Sequence, residues 1–177
     1  MKTKHILMVA TIFVSTFAIS PASFTQAQEN TSKDEVWVDY DYNDIKDLPS
    51  KVTMDLTNPD EISTRDTTIL PFGEGLTYLN RDGLEWYGTH ATSVKNGKAI
   101  FYFAVQGELL KKPKGSTSLN RLDQDSDTVH ATNDGLVLVT TRGNTGIVGD
   151  TMIAKSSHQV NLGWSVTNRD TIEQVEL

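Results

Sequence analysis

Residues 84–110 read LEWYGTHATSVKNGKAIFYFAVQGELL, two runs rich in β-branched and aromatic side chains on either side of Lys95-Asn96-Gly97-Lys98. Such runs favour strands, and Asn-Gly is the pair that a two-residue type I′ turn requires. The stretch therefore predicts a hairpin joining Leu84–Val94 to Ala99–Leu110, with paired residue numbers summing to 193. Ile100, Tyr102 and Ala104 share one face of the second strand and Phe101, Phe103 and Val105 the other. Both faces are apolar, which predicts a central strand. The same register sets Trp86 opposite Gly107, where a ring can cover bare backbone, and His90 opposite Phe103.

It also sets Glu85 opposite Glu108, with Tyr87 and Gln106 the next pair on that face. Like charges directly opposed destabilise a sheet. The pair implies splayed strands, a bulge at Gly107, or a function, as a metal site or as two carboxylates with one pKa raised for acid–base work.

Working outward, alternation dominates. Val36, Val38, Tyr40 and Tyr42 alternate with Trp37, Asp39, Asp41 and Asn43, predicting a half-buried strand, and Val52, Met54 and Leu56 repeat the pattern before Asn58-Pro59-Asp60 ends it. Residues 61–75 read as loop with a short strand at 67–70. Gly73-Glu74-Gly75 and Arg142-Gly143-Asn144-Thr145-Gly146 read as turns. Lys111–Asp134 is polar and predicts a long loop. Strands follow at Leu136–Thr141, Thr151–Lys155 and His158–Thr167, the last with Val160, Leu162, Trp164 and Val166 alternating. About nine strands and no clear helix or repeat predict an all-β antiparallel sandwich or small barrel.

Residues 1–27 stand apart. Lys2 and Lys4, the uncharged apolar run Ile6–Ile19 and the small residues of Thr25-Gln26-Ala27 predict a signal peptide, followed by a single secreted β domain over 28–177. The run is shorter than the ~20 residues of a membrane span. Losing its two lysines from 16 basic residues leaves 14 against 23 acidic ones, a net charge of −9. That charge argues against nucleic acid or anionic lipid as partner. The one basic cluster is Lys111-Lys112-Pro113-Lys114, and neither a cysteine for lipidation nor an apolar tail suggests a stable membrane anchor. Without cysteine, an exported domain must rely on burial or metal for stability.

Two acidic runs have the spacing of calcium ligands. In DYDYNDIKD, residues 39–47, Asp44 stands where a calcium loop wants glycine, and Lys46 and Ser50 where it wants an apolar residue and glutamate. That run reads as strand surface. Asp123, Asp125, Asp127 and Asp134 occupy places one, three, five and twelve of a segment without apolar alternation, and they are the candidate calcium ligands, against the simpler reading of a solvated acidic loop.

Of the mature histidines, His90 and His158 share strand faces with apolar residues and read as structural, while His130 reads as exposed. No GxSxG, HExxH or phosphate-cradling glycine loop appears. The favoured expectation is a secreted, non-enzymatic domain binding an extracellular protein or carbohydrate, with Trp37 and Tyr87 as candidate contact aromatics. The alternative is a small secreted hydrolase built from Glu85 or Glu108 with His130 and Arg142.

Overall fold

The computed structural model describes residues 36–56, 72–95, 100–130, 134–144 and 146–177. The proposed signal segment 1–27, the strand expected at 67–70 and the Asn96-Gly97 turn lie outside them.

The fold is an antiparallel β-sandwich. One sheet holds β2 (Lys51–Asp55), β3 (Phe72–Asp82), β4 (Glu85–Lys95) and β7 (Gly135–Asn144), in the order β2-β3-β4-β7. The other holds β5 (Tyr102–Lys112), β6 (Asn120–His130), β8 (Thr151–Asn161) and β9 (Val166–Glu176), extended at its edge by the two-residue β1 (Val36–Trp37), in the order β1-β6-β5-β8-β9. β5 is central, as its two apolar faces predict.

The expected hairpin of β4 with β5 is corrected: the two strands lie in different sheets. β4 pairs with β3 through the two-residue turn Gly83-Leu84, with Gly83 at φ 58. A positive φ at the first turn position is what mirrored hairpin turns require, so the informative dipeptide is Asp82-Gly83. Trp86 consequently faces Arg81 and Gly143 instead of Gly107, and His90 faces Thr77 and Val139 instead of Phe103.

Three further expectations change. Gly73-Glu74-Gly75 is strand, with both glycines buried in β3, and Arg142–Asn144 closes β7. Lys111–Asp134 is not one loop, since β6 occupies its centre. The strand expected over His158–Thr167 is two strands joined by a turn in which Leu162 N donates to Ser165 O at 2.9 Å and Gly163 has φ 82.

The acidic stretch near residue 40 is a one-turn helix, α1 (Tyr42–Ile45), rather than a strand. Asp41 caps it, accepting from Asn43 N at 2.9 Å, while the Asp44 carboxylate accepts from Asp41 N at 2.9 Å. That reciprocal arrangement satisfies amides that a helix start leaves unpaired. The burial parity nevertheless follows the sequence: Val38, Tyr40 and Tyr42 pack against Leu110, Leu119, Ile153 and Ile172 on the outer face of the five-stranded sheet, and Trp37 is exposed.

Between the sheets lie two apolar clusters. One gathers Met54, Val94, Phe103, Val105, Val137 and Val160, and the other Leu79, Trp86, Leu109, Met152 and Ala154. A buried polar chain, also between the sheets, joins residues of both.

Candidate functional site

That chain runs through seven buried side chains. His90 Nε2 meets Thr141 Oγ1 at 2.8 Å, and His90 Nδ1 meets Ser156 Oγ at 2.7 Å. Ser156 bonds Thr77, which bonds Thr171. Thr171 Oγ1 lies 2.7 Å from His158 Nε2, and His158 Nδ1 lies 2.9 Å from Thr92 Oγ1, which donates to Ala104 O at 3.0 Å. The rings fit because the facing sheet supplies glycine. A Cβ on Gly107 would lie 2.1 Å from His90 Cδ2, and one on Gly75 would lie 2.4 Å from His158 Cδ2. Each sheet thus sends one histidine onto a glycine of the other.

With both rings neutral, as burial makes them, the carbonyl at one end sets the direction of every link. Thr92 donates to Ala104 O, so its oxygen accepts from His158 Nδ1–H, and Nε2 of that ring accepts from Thr171. Thr171 then accepts from Thr77, Thr77 from Ser156, Ser156 from His90 Nδ1–H, and His90 Nε2 accepts from Thr141. Each link uses one proton, and both rings are neutral. Burial enforces the same state, lowering both histidines to about 4. This chain is closed to solvent and serves the fold.

The open chemistry lies on the outer face of the five-stranded sheet. Glu108, only 5% exposed, faces Lys155 across the strands. Its carboxylate accepts from Tyr40 Oη at 2.6 Å and from Arg121 at 3.1 Å, and lies 3.7 Å from Lys155 Nζ, which is also 3.7 Å from Asp170. Lys155 stands over the Tyr40 ring, 5.2 Å from its centroid. Burial and then the Glu108 hydrogen bond hold the Tyr40 phenol far above its ordinary range. This cluster rivets the segment carrying Tyr40 to the sheet.

Beside it is a trough of about 250 Å3. Ala104 and Ser157 are small residues on the outer face, with Ser126 and Thr128 opposite Gln106 and Ala104 on β6. Gln106, Gln159 and Asn168 supply amides, and Gln159 Nε2 donates to Asn168 Oδ1 at 2.9 Å. One step along β5, Tyr102 carries His130 beside it, with ring centroids 5.9 Å apart.

The expected site residues are dispersed. Glu85, Tyr87 and Arg142 do meet on the outer face of the four-stranded sheet, where the Tyr87 hydroxyl donates to Glu85 and Arg142 lies 5.4 Å from the Tyr87 ring centroid. Glu108 faces outward on the other sheet, however, so the Glu85–Glu108 pair does not form: Glu85 pairs with Asp82 and Asn144, and Glu108 with Gln124 and Lys155. Of the residues expected for a hydrolase, Glu85 and Arg142 share the outer face of the four-stranded sheet, whereas His130 stands opposite Tyr102 on the other sheet. Trp37 and Tyr87 lie on different sheets. Tyr78, Leu136 and Leu138 make the outer face of the four-stranded sheet partly apolar, each about half exposed.

The acidic run expected as a loop is strand β6. Asp123, Asp125 and Asp127 stand at alternate positions of an extended strand, where they cannot encircle an ion as a loop does, and Asp123 instead accepts from Arg142 N at 2.9 Å. Among the described residues no group of three or more His, Asp or Glu side chains is placed to hold a metal. These aspartates share the inward parity of Leu109, Gly107 and Val105, their partners on β5. Inward charge on an edge strand discourages pairing with another chain.

No family model and no curated protein matches the sequence. Among solved structures, a protein from Archaeoglobus fulgidus has a TM-score of 0.31 at 10% identity, over 58% of this chain and 96% of its own. A likeness that distant carries no argument.

Proposed function

We propose that this chain is a secreted, non-enzymatic binding domain and that the trough on the outer face of the five-stranded sheet receives its ligand. The carrying observation is the trough itself: hydroxyl and amide side chains around the small residues Ala104 and Ser157, next to a tightly paired ionic cluster. A sheet face with polar groups held ready and little side-chain bulk at its centre suits recognition. Binding is favoured over hydrolysis because Glu108, the most buried carboxylate near the trough, is committed to Tyr40, Arg121 and Lys155. The basic start and apolar run of residues 2–19 support export.

The test fills the trough. The chain would be incubated with an array of extracellular proteins and glycans, beside Ala104→Trp and Ser157→Trp variants shown to melt like the parent. The proposal expects parental binding to be lost in both. Binding retained at full strength in both variants would overturn it.

A further inference from the structure

We infer that the ligand of this trough is a neutral glycan, lying across β6, β5, β8 and β9; this rests on the trough being the binding site. Charge narrows the class first. Asp170 lies in the row beside Ser157, and the chain carries a net charge of −7. A polyanion such as nucleic acid or a uronic polymer meets like charge there; Lys155 is already engaged by Glu108 and Asp170, and Arg169 donates to the Asn168 carbonyl. An apolar ligand would desolvate amides and hydroxyls without replacing their hydrogen bonds.

Two neutral polar classes remain, peptide and sugar. Extended peptides bind sheets by adding to an edge, where main-chain N–H and C=O groups are free. The trough lies on a face, where the backbone of β5 is already bonded to β6 and β8. Over β5, at the centre of the trough, hydrogen bonds to a ligand must therefore come from side chains. Those side chains match hydroxyls, which both donate and accept. The bond from Gln159 Nε2 to Asn168 Oδ1 leaves Gln159 Oε1 as an acceptor and Asn168 Nδ2 as a donor, side by side. Vicinal diols present the complementary pair. Gln106 adds a third amide. Tyr102, two residues from Ala104 on the same face and half-buried, offers a flat, partly apolar ring for the C–H face of a sugar.

Across four strands the trough face extends about 14 Å, enough for a short oligosaccharide. The experiment follows the side-chain amide signals of Gln106, Gln159 and Asn168 by 15N NMR. Hexamers of β-linked glucose, xylose, mannose, galactose and N-acetylglucosamine and of α-linked glucose would be titrated to millimolar concentration. An oligogalacturonate and an uncharged Gly/Ser/Thr peptide serve as controls. The expected result is that at least one neutral hexamer shifts these signals, that Ala104→Trp weakens it at least tenfold, and that neither control acts. If no neutral hexamer moves them, the glycan assignment is wrong. If the peptide alone moves them, the glycan class falls while the site stands. If hexamers bind but shift only signals elsewhere and are insensitive to Ala104→Trp, the site falls too.

Discussion

His90 Nδ1 lies 2.7 Å from Ser156 Oγ, a hydrogen bond that crosses from β4 in one sheet to β8 in the other. With both buried rings neutral, the order of protons along its chain makes each an Nδ1–H tautomer. Nitrogen-15 NMR of the imidazoles at pH 6 should show that tautomer for His90 and His158. An Nε2–H tautomer at either buried ring would contradict the assignment from Ala104 O.

Acid should loosen the sandwich. Each buried histidine has a folded pKa of about 4 against 6.5 when free, so between those values the unfolded chain binds protons that the folded one does not. Stability is therefore unaffected by these groups above about pH 6.5, falls as pH drops, and levels below about 4. The loss is on the order of 3 kcal/mol for each histidine. Burial is the main cause for both; Glu108, Asp125 and Asp123 oppose it at His90, and Asp170 opposes it at His158. Urea midpoints from pH 7.5 to 3.5 test this, and a slope through the window that survives His90→Gln/His158→Gln would place its origin elsewhere.

The two histidine–glycine contacts predict different costs from an ordinary turn glycine. Gly107→Ala and Gly75→Ala press a methyl group to within 2.1 and 2.4 Å of an imidazole ring atom, and each should cost about 3 kcal/mol. Gly83→Ala meets nothing within 4 Å, and its cost of about 1 kcal/mol comes from φ 58 alone. Chemical denaturation of the three variants should give that order.

Removing Glu108 should hurt more than removing its hydrogen-bond donor. Tyr40→Phe leaves Glu108 with Arg121 and Lys155 and should cost about 1 kcal/mol. Glu108→Gln strands Lys155, whose side chain is 10% exposed, with Asp170 as its remaining carboxylate, and should cost about 3 kcal/mol. Equal melting temperatures for the two variants would show that the ion pair contributes little.

The fold class was legible because period two survives where a strand buries one face, as in β2 and most of β4. Pairing was not. Asn96-Gly97 is a stronger hairpin signal than Asp82-Gly83, yet β4 and β5 each find their neighbours elsewhere, because burying both strands' apolar faces against one another builds two sheets. β6 was hidden by its own edge position: inward aspartates replace the apolar alternation that marks a strand. The structural roles of His90 and His158 were readable from parity, but their partners Thr77, Ser156 and Thr171 come from distant strands. The trough could not be read from the sequence, since Gln106, Gln159 and Asn168 meet only through the β5-β8-β9 register. Its one local signal is the alternation of Ser157 and Gln159 with His158 and Val160.

The most direct measurement is calorimetric titration of the best-binding neutral hexamer into the parent, into Gln159→Ala/Asn168→Ala, and into Thr89→Ala on the opposite sheet's outer face. The account predicts at least a tenfold loss of affinity in the double variant and none in Thr89→Ala. Unchanged affinity in the double variant, or an equal loss in both, would contradict it.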